Sequence, residues 1–147
     1  MYPVRNSIKA IILENRKLLC IEKRDIEGLY YILPGGGQEK NETFLEALAR
    51  ECKEELGATV KVKHLKYIRE YIGKNHEFAA ADDLHQVEFM FECELLDIPN
   101  IKNAYRLDDG QENLKWVELD SEDRVYPMCL KERLKSKYEE LYWGDIN

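Results

Sequence analysis

The sequence predicts an α/β fold, in which a single domain over residues 1–147 builds a mixed β-sheet covered by helices. Two observations predict this class. Segments with the two-residue apolar alternation of strands lie on both sides of one segment with helical spacing. A second helical segment closes the chain, so the predicted order is β-β-β-α-β-β-β-α. A length of 147 residues suits one hydrophobic core.

The first elements are predicted to be strands joined by turns. Ser7–Leu13 and Lys17–Lys23 are rich in β-formers and flank a short polar turn, which predicts a hairpin. The apolar run Leu29–Leu33 predicts a third strand. Pro34 and the glycines Gly35–Gly37 follow it, and we expect them to stop regular structure and to allow unusual backbone angles.

The segment Glu42–Leu56 has the spacing of an amphipathic helix. Asn41 is the predicted N-cap, and Gly57 stands where a left-handed residue ends a helix. Glu42 suits the positive end of the helix dipole. The predicted apolar face consists of residues that recur every three or four positions: Phe44, Leu45, Leu48, Cys52 and Leu56.

The second half of the chain predicts three more strands and a closing helix. Thr59–Ile72 and His85–Leu96 alternate as strands do, and Lys115–Leu119 is a shorter strand. Met128–Trp143 is predicted to be an amphipathic helix. Two long polar connections, at residues 73–84 and 97–113, separate these elements, and we expect them to form the walls of a binding site.

Composition excludes several classes of protein. No apolar run approaches the roughly 20 residues that span a bilayer, and the start lacks a signal pattern, so we expect a cytoplasmic protein without a membrane partner. The net charge of −7 and the lack of a dense basic stripe disfavour a nucleic-acid polymer as partner. An acidic protein that acts on phosphates needs another source of positive charge, which a divalent metal ion would supply.

The four cysteines are predicted to be reduced and packed as small apolar residues. They are far apart in the sequence, form no C-x-x-C pair, and lie in or beside apolar segments: Cys20, Cys52, Cys93 and Cys129. We therefore expect neither a disulfide framework nor a zinc site.

Three carboxylates are crowded onto one side of the predicted helix. At about 100° per residue, Glu51, Glu54 and Glu55 fall within roughly a 100° arc and span about 6 Å of the axis, away from the apolar face. Like charges so close destabilise an isolated helix by about a few tenths of a kcal/mol. A bound Mg²⁺ or Mn²⁺ would turn this repulsion into ligation, because hard cations prefer carboxylate oxygens.

A glutamate-rich helix face is usually only solvated, but the spacing here is specific. From Gly36 to Ala58 the sequence has the pattern G-x5-E-x7-R-E-x2-E-E-x-G. This pattern resembles the Nudix box, G-x5-E-x7-R-E-U-x-E-E-x-G-U, where U is a bulky apolar residue. All seven fixed positions are present. Cys52 and the small Ala58 occupy the U positions, and these substitutions concern packing.

The resemblance implies a Nudix-type α/β/α sandwich and a role for each motif residue. Glu51, Glu54 and Glu55 are the implied metal ligands for Mg²⁺ or Mn²⁺. Glu54 and Glu55 are also the implied catalytic carboxylates, and Glu54 is a candidate to accept a proton from the attacking water. No organic cofactor is implied.

The other fixed positions of the motif are implied to support these carboxylates. Arg50 and Glu42 would pair with each other or with neighbouring carboxylates and fix the loop against the helix. Gly36 and Gly57 would shape the backbone. Glu112 is a further catalytic candidate, because many family members place an additional acid in a loop outside the box.

Outside the motif the signals are weaker. Trp116 and Tyr126 are predicted to pack inside the protein rather than to stack on a base, although such stacking is physically reasonable. Arg5 and Arg24 lie near strand ends, where they could contact phosphates, but no pattern in the sequence singles them out.

The resemblance implies a metal-dependent pyrophosphohydrolase. Its substrate would be a small nucleoside diphosphate linked to another moiety, and water would attack phosphorus. A catalytically silent Nudix domain that senses a nucleotide is the alternative, although such domains usually lose carboxylates that this chain keeps. An RNA-decapping enzyme is disfavoured by the acidic charge. Dimers are common in the family, which leaves a homodimer open.

Overall fold

The structure of the protein is a computed structural model that describes residues 3–76, 83–99 and 113–147. Strands and helices follow one another along these residues, with a 3₁₀ turn at Gly73–Asn75. In chain order they are β1 (Arg5–Ile11), β2 (Leu13–Glu14), β3 (Lys17–Asp25), β4 (Gly28–Ile32), β5 (Gly35–Gly37), α1 (Phe44–Leu56), β6 (Val60–Ile72), β7 (His85–Leu95), β8 (Asn113–Glu118), β9 (Val125–Tyr126), α2 (Leu130–Ser136) and β10 (Tyr142–Asp145).

The strands form two mixed sheets. The first has the order β10-β6-β7-β1-β5, with β1 parallel to β7 and antiparallel to β5. The second has the order β2-β3-β4-β9, with β8 paired to the other edge of β3. β4 runs antiparallel to β3 and parallel to β9. The predicted combination of helices with mixed strand pairing is therefore present, distributed over two sheets.

The hairpin predicted between Ser7–Leu13 and Lys17–Lys23 is present only next to its turn. Only β2, two residues long, pairs with the start of β3, while β1 lies in the other sheet. The chain crosses between the sheets at Ile12, whose carbonyl still accepts a hydrogen bond from the Leu19 amide at 3.0 Å. The turn itself was predicted correctly: Asn15 and Arg16 both have positive φ.

Helix α1 begins later than the sequence predicted. Thr43, not Asn41, is the N-cap, and its side chain accepts a hydrogen bond from the Glu46 amide while the Glu46 carboxylate accepts one from the Thr43 amide. This capping box satisfies two amides at the helix start. Asn41 instead has φ +72° in the preceding loop. Gly57 ends the helix in the left-handed conformation, as predicted.

The apolar face of α1 also differs from the prediction at one residue. Leu45 is half exposed, and the neighbouring positions on the packed face are taken by small or acidic residues. The buried residues of the helix are Ala47, Leu48, Glu51, Cys52, Glu55 and Leu56. Two carboxylates therefore share the packed side of the helix, where the sequence predicted only apolar side chains.

The closing helix is much shorter than predicted. α2 ends at Ser136 because Lys137 adopts the left-handed conformation at its C-cap, with φ 54°. The chain then forms β10, which pairs in parallel with β6. Trp143 packs on Tyr67 with ring centroids 4.3 Å apart. Tyr142 and Trp143, which the prediction assigned to the closing helix, therefore belong to strand β10.

The glycine segment after Pro34 forms regular structure, contrary to expectation. Gly35–Gly37 is strand β5, which pairs with Ser7–Lys9 of β1. A Cβ at Gly35 would lie 2.1 Å from the Ile8 carbonyl oxygen, and the φ of Gly35 is +134°. Only glycine can approach β1 so closely in this conformation.

Two apolar clusters form the core. One joins both sheets to α2 and β10, and includes the fully buried Ile11, Leu18 and Met90. The other joins both sheets to α1, and includes Ile8 and Leu48. Because the two helices belong to different clusters, each covers its own side of the strands.

The cysteines belong to this core, as predicted. Cys20, Cys52 and Cys93 are buried, Cys129 is partly buried, and all four are free thiols. Burial raises the pKa of the Cys93 thiol to about 12, and it raises the pKa of Cys20 and Cys52 further. These thiols therefore stay protonated and apolar.

Candidate active site

The glycine strand brings the backbone against the carboxylates of α1. Gly36 lies directly against the Glu51 side chain: a Cβ at Gly36 would come within 2.6 Å of Glu51 Oε1. The Gly35 amide donates a hydrogen bond of 2.6 Å to Glu55 Oε1. The contact at Gly36 explains why the motif needs glycine there, since a side chain would displace the Glu51 carboxylate.

The three motif carboxylates occupy different depths. The Glu55 residue is 2% exposed and the Glu51 residue 8%, so both are buried. Glu51 and Glu54 line a surface cleft, whereas Glu55 is not among its lining residues and is held at the backbone of β5. The structure thus brings the three together on one helical turn but presents only two to the cleft.

Arg50 pairs with several carboxylates of the site. Its Nε and Nη2 donate to the two oxygens of Glu42, at 2.7 and 3.0 Å. Its Nη1 lies 3.0 Å from Glu51 Oε1 and 3.5 Å from Glu54 Oε2, and its Nη2 also donates to the Gly37 carbonyl. The predicted pairing of Arg50 with Glu42 is therefore present, and the same guanidinium also reaches two of the motif carboxylates.

The Arg50–Glu42 pair fixes the loop before α1. The hydrogen bonds from Arg50 and from the Glu39 amide lower the pKa of the Glu42 carboxyl, and the bonded carboxylates raise the pKa of Arg50. Both groups are therefore charged at neutral pH. Glu42 does not lie in the first turn of the helix as predicted, but acts as an anchor between the loop and Arg50.

The donor set fits a hard divalent cation. Among the described residues, no three acidic, histidine or cysteine side chains are already close enough to hold an ion together. Mg²⁺ does not require such a cage, because it commonly takes one or two carboxylates and shares the substrate's phosphate oxygens. Glu51 and Glu54, which face the cleft one turn apart, meet this need, and small side-chain rotations can adjust their oxygens.

The cleft in front of these carboxylates is polar and carries both signs of charge. Its volume is about 370 Å³. The lining residues come from β1, β3, β4, β5, the loop between β5 and α1, α1 and β7: Arg5, Ser7, Lys9, Lys23, Ile32, Gly35, Gly36, Gly37, Gln38, Glu39, Arg50, Glu51, Glu54 and Gln86. A cavity of about 660 Å³ elsewhere, beside α2 and β6, contains none of the motif residues.

Two basic side chains of the cleft were missed by the sequence analysis. Lys9 follows Arg5 at an even spacing on β1 and donates to the carbonyls of Leu33 and Gly35, at 3.2 and 3.4 Å. Lys23 reaches the same cleft from β3. The only available signal was the position of Lys9 opposite Gly35, which depends on a strand pairing that the sequence did not predict. Arg5 lines the cleft, whereas Arg24 is exposed and does not.

One predicted site residue lies outside the described part of the chain. Glu112 belongs to residues 100–112, which the structure does not describe, and so do its neighbours Asp108 and Asp109. Gly57 does not line the cleft and is the left-handed C-cap of α1.

The sequence over residues 3–139 matches the NUDIX domain family. The chain belongs to the Nudix hydrolase family. As a member, it is a hydrolase of the pyrophosphatase type, acting on a phosphoric acid anhydride. The match spans all of the motif and every strand except β10, and it confirms the predicted Nudix-type α/β fold.

Solved Nudix structures share this fold at low sequence identity. A NUDIX hydrolase from Nitrosomonas europaea is 18% identical, with 95% of this chain and 93% of that chain covered and a TM-score of 0.71. A MutT NUDIX hydrolase from Burkholderia pseudomallei is 24% identical, with coverages of 88% and 96% and a TM-score of 0.67. An ADP-ribose pyrophosphatase from Streptococcus suis is 18% identical, with coverages of 97% and 98% and a TM-score of 0.63.

These likenesses show the fold and leave the substrate open. No curated protein matches the chain by sequence. In the described residues, neither helix has the length and apolar character needed to cross a membrane.

Proposed function

We propose that this Nudix hydrolase is a Mg²⁺- or Mn²⁺-dependent pyrophosphohydrolase that cleaves a nucleoside diphosphate linked to another moiety. The supporting observation is the arrangement of Glu51 and Glu54 on the wall of a cleft that also contains two lysines and two arginines. Carboxylates suit the cation and basic side chains suit phosphate oxygens, so the cleft offers both partners that a metal–diphosphate complex needs.

The residues have distinct roles in this proposal. Glu51, Glu54 and Glu55 are the metal-binding set, with Glu51 and Glu54 facing the cleft. When bound, the ion would neutralise charge on the phosphate oxygens and lower the pKa of a water molecule. Glu54 accepts the proton of the attacking water, because its carboxylate lines the cleft and is less deeply buried than that of Glu55.

The basic side chains orient the diphosphate. Lys9 projects from β1 beside the glycine strand, and Lys23 reaches the same cleft from β3. Their charges bind phosphate oxygens and hold phosphorus in line with the water. Arg50 keeps Glu51 oriented toward the cleft through its 3.0 Å contact, so it acts on the reaction through a carboxylate.

A substrate with a nucleoside diphosphate agrees with one of the structural neighbours. The Streptococcus suis protein is an ADP-ribose pyrophosphatase. The proposal includes a nucleoside triphosphate, a nucleotide sugar and a dinucleoside polyphosphate as substrates. A polymeric nucleic acid is not the expected partner, since the net charge is −7. A single domain over residues 1–147, a homodimer and a cytoplasmic location all stay predictions.

The silent sensor remains the competing hypothesis, and a Glu55→Gln variant separates the two. The amide oxygen of glutamine can still accept the hydrogen bond from the Gly35 amide, so the fold is kept while the negative charge is lost. We expect hydrolysis to fall by at least about 100-fold, because a metal-binding charge is removed. Glu46→Gln is the matched control, since glutamine also completes a capping box.

The measurement is product release from a panel of nucleoside triphosphates, nucleotide sugars and dinucleoside polyphosphates, with Mg²⁺ or Mn²⁺ and with chelator. Calorimetric titration of Mn²⁺ into both proteins accompanies it. Wild-type protein that binds nucleotides but neither hydrolyses any of them nor takes up metal would favour the sensor. Equal hydrolysis by wild type and Glu55→Gln would remove Glu55 from the metal-binding set.

A further inference from the structure

Arg5 lies at one end of the glycine strand and lines the same cleft as Glu51 and Glu54. Its guanidinium is placed directly over Gly37: a Cβ there would collide with Arg5 Nη2 and would come within 3.3 Å of its Cζ. In the part of the chain that the structure describes, this guanidinium forms no hydrogen bond and no ion pair. Arg5 therefore offers the cleft a fork of donors that is available to a ligand.

The other cations beside the glycine strand are placed differently. The Arg50 guanidinium is already bonded to carboxylates of the site. Lys9 donates to the carbonyl of Gly35 at 3.4 Å, so its charge lies at that end of the glycine strand. Arg5 lies at the other end, over Gly37. A strand rises about 3.3 Å per residue, so roughly 7 Å separate the two ends.

The Glu51 carboxylate lies between these two cations, because it packs against Gly36 in the middle of the strand. A metal ion bound by Glu51 would therefore have a positive charge on each side. Ser7 lies between Arg5 and Lys9 on the same face of β1 and also lines the cleft. It is 4% exposed, and among the described residues its hydroxyl has no hydrogen-bond partner. A phosphate oxygen beside Arg5 would satisfy this hydroxyl.

A second cavity, of about 300 Å³, adjoins this cleft between the two sheets. It shares Lys23 with the cleft, and we call it the aromatic cavity because three tyrosines line it: Tyr30, Tyr71 and Tyr126. Arg5 is not among its lining residues. The aromatic surroundings therefore belong to the space next to Lys23, whereas Arg5 belongs to the polar cleft, where a charged group is the more suitable partner.

The charge of Arg5 favours a substrate whose phosphate chain ends in a free phosphate. A terminal phosphate monoester carries a charge of about −1.5 to −2 at pH 7 and has three acceptor oxygens. A phosphate that is esterified on both sides carries roughly one negative charge. An arginine fork binds two phosphate oxygens at once, and such charge-assisted hydrogen bonds are about twice as strong as neutral ones. Arg5 therefore discriminates between these two kinds of phosphate.

We propose that Arg5 binds the terminal phosphate of the substrate, so that the moiety linked to the nucleoside diphosphate is itself a phosphate and nucleoside triphosphates are preferred. This rests on the proposed function, because the metal-bound diphosphate must occupy the cleft. Nucleotide sugars and dinucleoside polyphosphates are esterified at both ends of the phosphate chain, so they give Arg5 no terminal phosphate and bind less tightly. Gly37 serves this selectivity, since a side chain there would displace the guanidinium.

The test compares two ligands that differ only at the last phosphate. One is a nucleoside triphosphate analogue with non-hydrolysable bridges between its phosphates, and the other is the methyl ester of its terminal phosphate. Both are titrated calorimetrically into the protein with Mg²⁺ present, so binding is measured without hydrolysis. Hydrogen bonds between charged groups are strong enough that the wild type should bind the free terminal phosphate about 10- to 100-fold more tightly than the ester.

Two variants should remove this preference by different routes. Arg5→Gln deletes the charge, whereas Gly37→Ala keeps the charge and displaces the guanidinium. The φ of Gly37 lies outside the left-handed region, and the group that its Cβ would meet is the end of a flexible side chain, so the fold is kept. Each variant should bind the free terminal phosphate about 10-fold or more weakly and the ester unchanged, and the double variant should lose no more than Arg5→Gln alone. Arg24→Gln is the matched control, since Arg24 is exposed and does not line the cleft.

The outcomes distinguish the two proposals. A wild type that binds both ligands equally, or variants that weaken both ligands to the same extent, would overturn the role of Arg5 even if the enzyme hydrolyses its substrate panel. A preference for the free terminal phosphate that both variants abolish, in a protein that hydrolyses no member of the panel, would overturn the proposed reaction and leave Arg5 in a triphosphate-binding site.

Discussion

The acidic wall of the cleft and the aromatic cavity beside it are built in opposite ways. Glu51, Glu54 and Arg50 lie within five consecutive residues of one helix, and a short glycine strand completes their surroundings. The cavity takes most of its residues, including Tyr30, Tyr71 and Tyr126, from β3, β4, β6, β7 and β9, which are spread over about a hundred positions of the chain. One site is local in sequence and the other exists only after the two sheets have assembled.

This difference connects each site to a different part of function. Hydrolysis of a phosphate anhydride needs the same charges at the same spacing whatever the substrate carries, which a helix provides directly. Selectivity depends on shape and on a few polar groups, which strands can change one residue at a time without disturbing the helix. We therefore expect changes at the acidic wall to affect the rate, and changes around the cavity to affect affinity or stability.

The largest effect is expected from Gly36→Ala at the acidic wall. The φ of Gly36 is outside the left-handed region, so alanine suits the backbone, but its Cβ would lie 2.6 Å from Glu51 Oε1. Glu51 must move, and a displacement of about 1 Å at a reacting site can reduce the rate about 100-fold. We expect a kcat loss of at least that size with little change in nucleoside monophosphate binding.

Steady-state kinetics and a double variant check this prediction. If Gly36→Ala acts through the Glu51 carboxylate, then adding it to Glu51→Gln will reduce kcat little further. Fully additive losses would show that the methyl group harms the site by another route. A parallel loss of nucleotide affinity would break the distinction between the acidic wall and the cavity.

A smaller effect is expected from Arg50→Lys, which keeps the charge but loses the planar fork. Lysine cannot bond both oxygens of Glu42 and also reach Glu51, so the carboxylate loses its orientation. Loss of a group that orients a metal ligand typically costs about 10- to 100-fold in metal affinity, and we expect weaker Mn²⁺ binding within that range.

Arg16→Lys provides the matched control for this change. Arg16 also bonds two oxygens of one carboxylate, that of Asp120, but both side chains are more than half exposed. Exposed ion pairs contribute little, so calorimetric Mn²⁺ affinity and thermal stability should stay near those of the wild type. Equal effects of the two substitutions would mean that Arg50 has no special role at the acidic wall.

The acidic wall could be predicted from sequence because its determinants are local. The spacing of Glu51, Glu54 and Glu55 on a helix follows from helix geometry alone, and the pairing of Arg50 with Glu42 followed from the motif. The burial of these glutamates could not be predicted from helix geometry, because it depends on how closely the glycine strand approaches the helix. The sequence pattern predicted that Gly35–Gly37 would break regular structure. It therefore gave no sign that this segment forms a strand whose backbone contacts the α1 carboxylates.

The aromatic cavity and the end of the fold could not be predicted for a related reason. Apolar periodicity assigned Met128–Trp143 to one helix, but pairing with β6 takes Trp143 into a strand. Tyr126 was expected to pack, and it does so on one cavity wall. Contacts between distant strands overrode the local patterns, and no local pattern encodes which strands become neighbours.

The smallest effect is expected from Asp145→Asn, because Asp145 supports the cavity wall only indirectly. Burial alone would raise the pKa of Asp145, but hydrogen bonds from Asn75, His76 and the Ile72 amide outweigh burial and lower the pKa to about 2. A carboxyl whose pKa is lower in the folded protein contributes stability that is complete above its ordinary pKa, near 4. That contribution is lost as the pH falls from about 4 to about 2.

Asp145→Asn should therefore reduce the free energy of unfolding at neutral pH by about 1 kcal/mol, after allowance for solvent screening of this partly exposed group. Denaturant titrations at pH 7, 4 and 2.5 measure it, and the difference from wild type should shrink at the lowest pH because the wild-type carboxyl is then partly protonated. Since His76 stacks on Tyr71, nucleotide affinity should weaken slightly while Mn²⁺ affinity stays unchanged. A fall in Mn²⁺ affinity instead would show that the C-terminal strand supports the acidic wall as well, and the two sites would then have to be treated as one cooperative unit.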